Sequence, residues 1–400
     1  MVGNLASKYN VVCLGFMPWG NMWKRNQSMM AELAKFDFIR KLIFVNPRIS
    51  LKDKLNGQVN PVHGEGVVRT IFPKTINSKI RVYTPMTWLP LKHYMPNLMR
   101  IEDRITLNVI RYLNGCEPYI LFLNCPNFSS DMVLDELVKR ASLTLFDFSD
   151  DFPELGYDLS TKEMFRRNSM RAAHKADVVL TVNEHIKEKY AEVNANMHVV
   201  RNATNFENFD RSRFEPVEKL EAIKKSGKPI IGYSGIANLG RIDSDLLDYL
   251  IAHRPLWQFV FVGPSHEGFV ERYSMRGNVH IIPPTGYQDL PNYMHYFDVA
   301  IVPFQVNENT KGNDLLKLYD YLAMGKPVVS TNIGGAIDLK EVIQIAQTPQ
   351  EFLERIEELF GNSCGEDDVA NRKRVGLKNS WHTRIGELET LVKRSLQTEK

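Results

Sequence analysis

Short apolar runs alternate along the chain with longer amphipathic stretches, and this rhythm constrains the fold more than any other feature. Runs at 10–16, 41–46, 80–84, 119–124, 143–148, 178–182 and 198–201 are rich in β-branched and aromatic residues and are bounded by Pro, Asn, Asp or Gly. That pattern is the signature of buried strands. Between several of them, 28–36, 130–139 and 162–176 carry helical spacing. Strand–helix–strand alternation predicts a mostly parallel sheet covered on both faces. Residues 205–229 interrupt it with a polar stretch and a charged segment that reads as a linker. The alternation then restarts, with strands expected at 230–234, 258–262, 279–282, 299–303 and 327–331 and helices at 245–253, 290–297, 315–324 and 351–360. The expected fold class is α/β, with two Rossmann-like doubly wound domains facing a cleft. Their expected bounds are 1–205 and 206–375, each with enough chain for its own core. A C-terminal helix, 376–400, carries an apolar stripe of Trp381, Leu388, Leu391, Val392 and Leu396 that should pack back toward the N-terminal domain.

No apolar stretch approaches the roughly 20 residues that a membrane-spanning helix needs, and no signal-peptide pattern opens the chain. Cys13, Cys116, Cys125 and Cys364 are far apart without metal-ligand spacing, which reads as reduced thiols. Charge is more informative. Residues 1–111 hold 17 Lys and Arg against 6 Asp and Glu, a local balance of +11, while the whole chain stands at +3. The N-terminal part should therefore meet something anionic: nucleic acid, a membrane surface or a phosphorylated acceptor. Residues 88–100 mix aromatic, apolar and cationic side chains, which suits either an interfacial patch on anionic lipid or an ordinary loop and helix packed on the sheet. Nucleic acid is disfavoured, because aromatic and cationic residues do not interleave in a binding pattern.

In open parallel sheets ligands bind beyond the carboxyl ends of the strands. No GxGxxG follows the first strand, since Gly15 and Gly20 have the wrong spacing, and a dinucleotide oxidoreductase is disfavoured. The segment from Gly235 to Arg241 imitates a phosphate loop, with Arg241 for the lysine and Ile242 for the magnesium-binding hydroxyl. It reads as a backbone-amide cradle with one guanidinium and no metal ligand, or as a plain tight turn. A helix over 314–324, stopped by Gly325 and Pro327, puts Lys317 and Asp320 on one face. A cation near the helix start suits a diphosphate, and a carboxylate one turn on can accept from a ribose diol. The alternative is an exposed ion pair. Asp147, Asp150 and Asp151 cluster at the end of the 143–148 strand. One of them, Asp150 first, could take a proton from an acceptor hydroxyl. Helix capping, or pairing with Arg166 and Arg167, is the alternative. Arg25, in the loop after the first strand, is a candidate acceptor contact.

The stretch 317–331 resembles the donor-binding signature of nucleotide-sugar glycosyltransferases of the two-Rossmann, GT-B architecture, broadly the family-four type. The resemblance continues through Gly232-Tyr-Ser-Gly235, Phe259-Val-Phe-Val-Gly263-Pro264 and Asp298-Val-Ala-Ile-Val-Pro303-Phe304. In the N-terminal half it takes in Trp19, Arg25-Asn26-Gln27, Asp147 to Asp151 and Arg201-Asn202. The chain is similar in flavour to bacterial cell-envelope polysaccharide enzymes such as the teichuronic-acid biosynthesis type. The resemblance implies a metal-independent hexosyltransferase with no cofactor beyond its nucleotide-sugar donor. Asp320 stands where the family has a glutamate for the donor ribose, and the family's earlier glutamate falls on Gly312. Lys317 and Arg241, helped by amides of Gly235 and the helix start, would neutralise the leaving diphosphate. Asp150, Asp151 and Lys317 are the implied catalytic candidates, and Arg25 the acceptor-binding one. The implied partners are a nucleotide-sugar donor, a glycan or lipid-linked acceptor and an anionic membrane surface, without nucleic acid. The implied location is cytoplasmic, peripheral to the inner face of the plasma membrane. A nucleotide-sugar epimerase on the same fold and a non-catalytic sugar-nucleotide-binding protein are the alternatives.

Overall fold

The computed structural model describes residues 8–20, 23–50, 72–87, 96–124, 131–154, 158–210, 212–362 and 365–398. Residues 88–95 of the aromatic-cationic stretch lie outside them, as do His63, Cys125 and Cys364. The chain divides into two compact units, 1–201 with 384–400, and 202–383. Against the bounds read from sequence, the first crossing is four residues earlier and the second eight residues later.

The first unit contains β1 (Tyr9–Leu14), β2 (Ile39–Val45), β3 (Ile49–Ser50), β4 (Lys74–Thr75), β5 (Ile80–Tyr83), β6 (Met86–Thr87), β7 (Tyr119–Leu123), β8 (Leu143–Phe148), β9 (Val178–Thr181) and β10 (Met197–Val199). Eight of these form one sheet in the order β10-β9-β8-β7-β1-β2-β5-β4, while β3 pairs with β6. Every pairing in the large sheet is parallel except β4 with β5. Val12 in the central strand sits opposite Ile43 on one side and Leu121 on the other. All three are fully buried, which is why these strands read as continuous apolar runs. The two-residue strands β3, β4 and β6 carry too little pattern to be predicted. Helices Arg25–Leu33, Asp131–Val138 and Leu159–Lys175 lie between successive strands. Helix Pro96–Asn114 presents Leu107, Ile110 and Leu113 to the core. On the last helix, Trp381–Thr398, residues Ile385, Leu388, Val392 and Leu396 are buried, and the Lys393 ammonium lies 5.2 Å from the Phe38 ring centre. The apolar stripe is thus a packing face of the first unit, to which 384–400 belongs.

The second unit is a six-stranded parallel sheet of β11 (Ile230–Ser234), β12 (Gln258–Val262), β13 (Val279–Ile282), β14 (Val299–Val302), β15 (Val328–Thr331) and β16 (Gln344–Ala346). Its order is β13-β12-β11-β14-β15-β16, so the winding reverses between β11 and β14. That reversal opens the ligand crevice of a doubly wound sheet. Helix Leu316–Ala323 begins two residues later than the sequence spacing predicts. Asp314 is instead a loop anchor, its carboxylate accepting from the Asn202 backbone N–H at 2.5 Å and from the Tyr319 hydroxyl at 2.8 Å. The helix ends as predicted, with Gly325 at φ +70°, and Arg372 donates to the Gly325 carbonyl at 2.8 Å.

Candidate functional site

The site in the second unit is built where the winding reverses. Tyr233, the penultimate residue of β11, is fully buried, and the Lys317 ammonium stands 3.7 Å from its ring centre and 5.1 Å from that of Phe304. Gly235 follows β11 with φ +125°, and a Cβ there would lie 2.8 Å from the same ammonium. The glycine therefore supplies both an unusual backbone angle and the space for Lys317. Gly263, after β12, repeats the device, because a Cβ on it would meet the Gly235 carbonyl oxygen at 2.5 Å. The helix carrying Lys317 is pinned beneath β11, where the Ser234 backbone N–H donates to the Tyr321 hydroxyl at 2.8 Å.

Arg241 completes the cationic cluster. Burial pushes the Tyr233 hydroxyl pKa up, and the Arg241 guanidinium is near enough for its charge to oppose that rise. Its partly exposed side chain has no ion pair or hydrogen bond among the described residues. Five amides between Gly235 and Ile242, in the loop read as a cradle, are already bonded within the protein. The Gly235 N–H donates to Val262 and that of Ala237 to Pro264, while those of Gly240, Arg241 and Ile242 all bond to Asn238. The following helix, Ser244–His253, is capped by the Asp243 carboxylate. Two side-chain cations, Lys317 and Arg241, stand close to the Tyr233 ring at the end of β11. No side chain caps the start of helix Leu316–Ala323.

Asp320 lies one turn beyond Lys317 and is only 4% exposed. Burial raises its carboxyl pKa to about 7, against the opposing pull of Thr204, Tyr287 and Lys317. Both hydrogen bonds, from Thr204 Oγ1 at 2.7 Å and the Tyr287 hydroxyl at 3.2 Å, arrive at Oδ1. Oδ2 has no donor among the described residues, so one oxygen of a rigidly held carboxylate is left for a ligand. Thr204 and Tyr287 carry no motif, 116 and 33 residues away, and were not legible in the sequence. Around Gly312, Glu308 pairs with Lys311 at 2.6 Å, and the buried Thr310 forms a capping box with Asn307 and donates to the Gln305 carbonyl. Gly334 and Gly335 close that turn from the other side, where a Cβ would lie 2.0 Å from the Lys311 carbonyl oxygen and 2.7 Å from Asp314 Oδ1.

In the first unit Arg25 and Asp151 both have partners within the protein. Arg25 is 4% exposed and holds Asp147 with Nη2 at 2.8 Å and Nε at 2.9 Å, while Asn124 donates to the same carboxylate at 2.9 Å. The Cys13 thiol donates to Asn124 in turn, at 3.0 Å. Arg25 is thus the counter-ion of a buried aspartate. Asp151 has both carboxylate oxygens engaged, one accepting from the Tyr190 hydroxyl at 2.6 Å and the other from Lys189 at 2.7 Å. Neither of these carboxylates pairs with Arg166, which bonds Glu163. Asp150 is half-buried at the turn after β8, where its backbone carbonyl accepts from the Phe152 N–H at 2.9 Å.

Residues 244–362 match the family described as glycosyl transferases group 1. That match lies wholly within the second unit. A teichuronic acid biosynthesis glycosyltransferase, TuaH of Bacillus subtilis (strain 168), is 21% identical to the chain over 232 residues. That match takes in 55% of this chain and 58% of the relative, so the chain spans little more than half of that protein. Among solved structures, sucrose-phosphate synthase from Thermosynechococcus elongatus superposes with a TM-score of 0.69 at 15% identity, over 98% of this chain and 100% of that one. Anabaena HepE in complex with UDP gives 0.62 at 12% identity, over 96% and 100%. An E. coli trehalose-6-phosphate structure bound with UDP-2-fluoro glucose gives 0.69 at 12% identity, over 96% and 99%. The fold is the GT-B one, and the second unit holds Lys317 and Asp320 within the matched segment, with Arg241 three residues before it. No group of three or more His, Cys, Asp or Glu placed to hold a metal ion occurs among the described residues.

Proposed function

We propose that the chain transfers a sugar from a nucleotide-diphospho-sugar to a hydroxyl of a cell-envelope glycan or lipid-linked acceptor. One observation carries this reading: the Lys317 ammonium stands over Tyr233 beside side-chain-free Gly235, with Arg241 acting on the same ring and Asp320 one turn away. Two cations at a strand-end crevice suit a diphosphate, whose charge grows as the glycosidic bond to it breaks. Asp320 Oδ2 suits a ribose hydroxyl. The UDP and UDP-sugar complexes of the structural neighbours support a nucleotide-sugar donor, and the TuaH similarity supports an envelope acceptor. Lys317 and Arg241 stabilise the departing diphosphate, and Asp150 is the candidate to receive the acceptor proton.

The test is calorimetry against UDP-, GDP- and dTDP-sugars, followed by incubation with the donor that binds, labelled in its sugar. Saturable binding with slow release of free nucleoside diphosphate and free sugar is expected. Conversion to an epimer would replace the transferase with an epimerase. Binding without any turnover, acceptor glycans included, would leave a non-catalytic binding protein, and no binding at all would end the reading.

A further inference from the structure

Helix Pro96–Asn114 is amphipathic in an unusual sense, because its outward face is itself apolar. At about 100° per residue, Glu102, Asp103, Thr106, Leu107, Ile110 and Leu113 share the inward side, and all are buried. On the opposite side Ile101, Ile105 and Tyr112 fall within roughly 40° of one another and are 51%, 45% and 83% exposed. Phe72 is 81% exposed and lines, with Ile105, Val109 and Tyr112, a groove of about 330 Å³ along the same helix. Water-facing apolar groups gathered on one face, with only the polar Asn108 between Ile105 and Tyr112, mark a binding surface rather than chance exposure.

The charges beside the stripe identify what it meets. Arg100, Arg104 and Arg111 occupy the adjoining flank of the helix, and all three are exposed. Arg100 and Arg104 have no ion pair or hydrogen bond among the described residues, while Arg111 pairs with Glu136. The acidic residues of the helix, Glu102 and Asp103, point inward and are neutralised by Arg48 at 2.9 and 2.8 Å. The exposed face is therefore apolar and cationic with no acidic side chain of its own helix, inside a stretch of sequence whose balance is +11. An apolar stripe with an arginine flank is what an anionic bilayer surface requires, the stripe entering the acyl boundary and the arginines meeting lipid phosphates. We infer that this face docks the protein on an anionic lipid bilayer, with Ile101, Ile105 and Tyr112 inserted and Arg100 and Arg104 on the headgroups. The inference stands apart from the transferase reading, since no residue of the nucleotide site takes part.

Co-sedimentation of the full chain with vesicles tests it, using phosphatidylcholine alone and phosphatidylcholine mixed equally with phosphatidylglycerol. The wild type should pellet with the anionic vesicles, far less with the neutral ones, and progressively less as salt is raised. Arg100→Gln with Arg104→Gln should weaken binding by about 25-fold, at roughly fivefold per arginine. Ile101→Ser, Ile105→Ser and Tyr112→Ser together should abolish it. All these positions are exposed, and an unchanged melting temperature verifies the fold of each variant. Wild type left in the supernatant with anionic vesicles overturns the inference, and so does binding by either variant equal to that of wild type. A concentration-dependent dimer in sedimentation velocity that the triple variant dissolves also overturns it, because the face would then belong to a second copy.

Discussion

If Asp320 offers Oδ2 to the donor ribose, it should do so as a carboxylate, and nucleotide-sugar affinity should then follow its ionisation. With its pKa pushed up to about 7 by burial, the acid is largely protonated at pH 6 and largely ionised at pH 8. The ionised fraction rises from about 0.1 to about 0.9, and apparent affinity scales with the competent fraction, so Kd should fall about ninefold between those values, or about 1.3 kcal/mol. The assay is calorimetry at pH 6, 7 and 8 and constant ionic strength. An intact nucleotide-sugar is the right titrant, because a free nucleoside diphosphate has its own phosphate ionisation near pH 6. Asp320→Asn keeps the acceptor for Thr204 and Tyr287 and removes the ionisation, so its weaker affinity should be flat with pH. The sign for stability is opposite. A carboxyl whose pKa is raised on folding binds protons more tightly in the folded state, so it favours folding at low pH, and that contribution is lost as pH rises from about 4 to about 7. The ceiling of this loss is on the order of 4 kcal/mol, and Asp320→Asn should recover part of it at pH 8 as a higher Tm. A flat wild-type affinity from pH 6 to 8, or the same slope in Asp320→Asn, would refute the ribose assignment.

Three further outcomes are expected. Lys317→Ala should lower kcat by about 100-fold or more, with a smaller loss in donor affinity, because its charge matters most once the diphosphate departs; equal losses in single-turnover rate and calorimetric Kd would reduce it to an anchor. Asp147→Ala leaves Arg25 buried without its counter-ion and should cost about 3–5 kcal/mol, read as a Tm lower by roughly 10 °C; a change under 2 °C would contradict the buried pairing. Asp150→Asn should cut transfer by about 100-fold at unchanged donor Kd, and near-normal transfer in a coupled nucleotide-release assay would assign the acceptor proton elsewhere.

The strands were legible because residues such as Val12, Leu121 and Val260 are buried on both faces of parallel sheets, which writes them as unbroken apolar runs. The stop at Gly325 was legible because a positive φ leaves few other residues. Lys317 and Asp320 were legible through their spacing of three on one helix. What could not be read was pairing at a distance. Nothing local marks Arg25 as the partner of Asp147, 122 residues on, or Tyr287 and Thr204 as the clamps on Asp320. Nor does sequence reveal where an N–H donates: in the loop from Gly235, five amides are committed to Val262, Pro264 and Asn238. Asp314 misled for a related reason: a helix-compatible residue was drawn out of the helix by Asn202 and Tyr319.

The chain leaves its first unit at 201 and re-enters it at 384, so residues 202–383 are one uninterrupted insert, whereas the first unit is assembled from two pieces of sequence. The two are unequal as parts for exchange. If the proposed donor site in the second unit is right, nucleotide preference should move with one continuous stretch of gene, with both splice points fixed. Any attempt to isolate the first unit must instead carry its last seventeen residues along, on a tether or as a permuted chain, or the buried contacts of Ile385, Leu388, Val392 and Leu396 are lost.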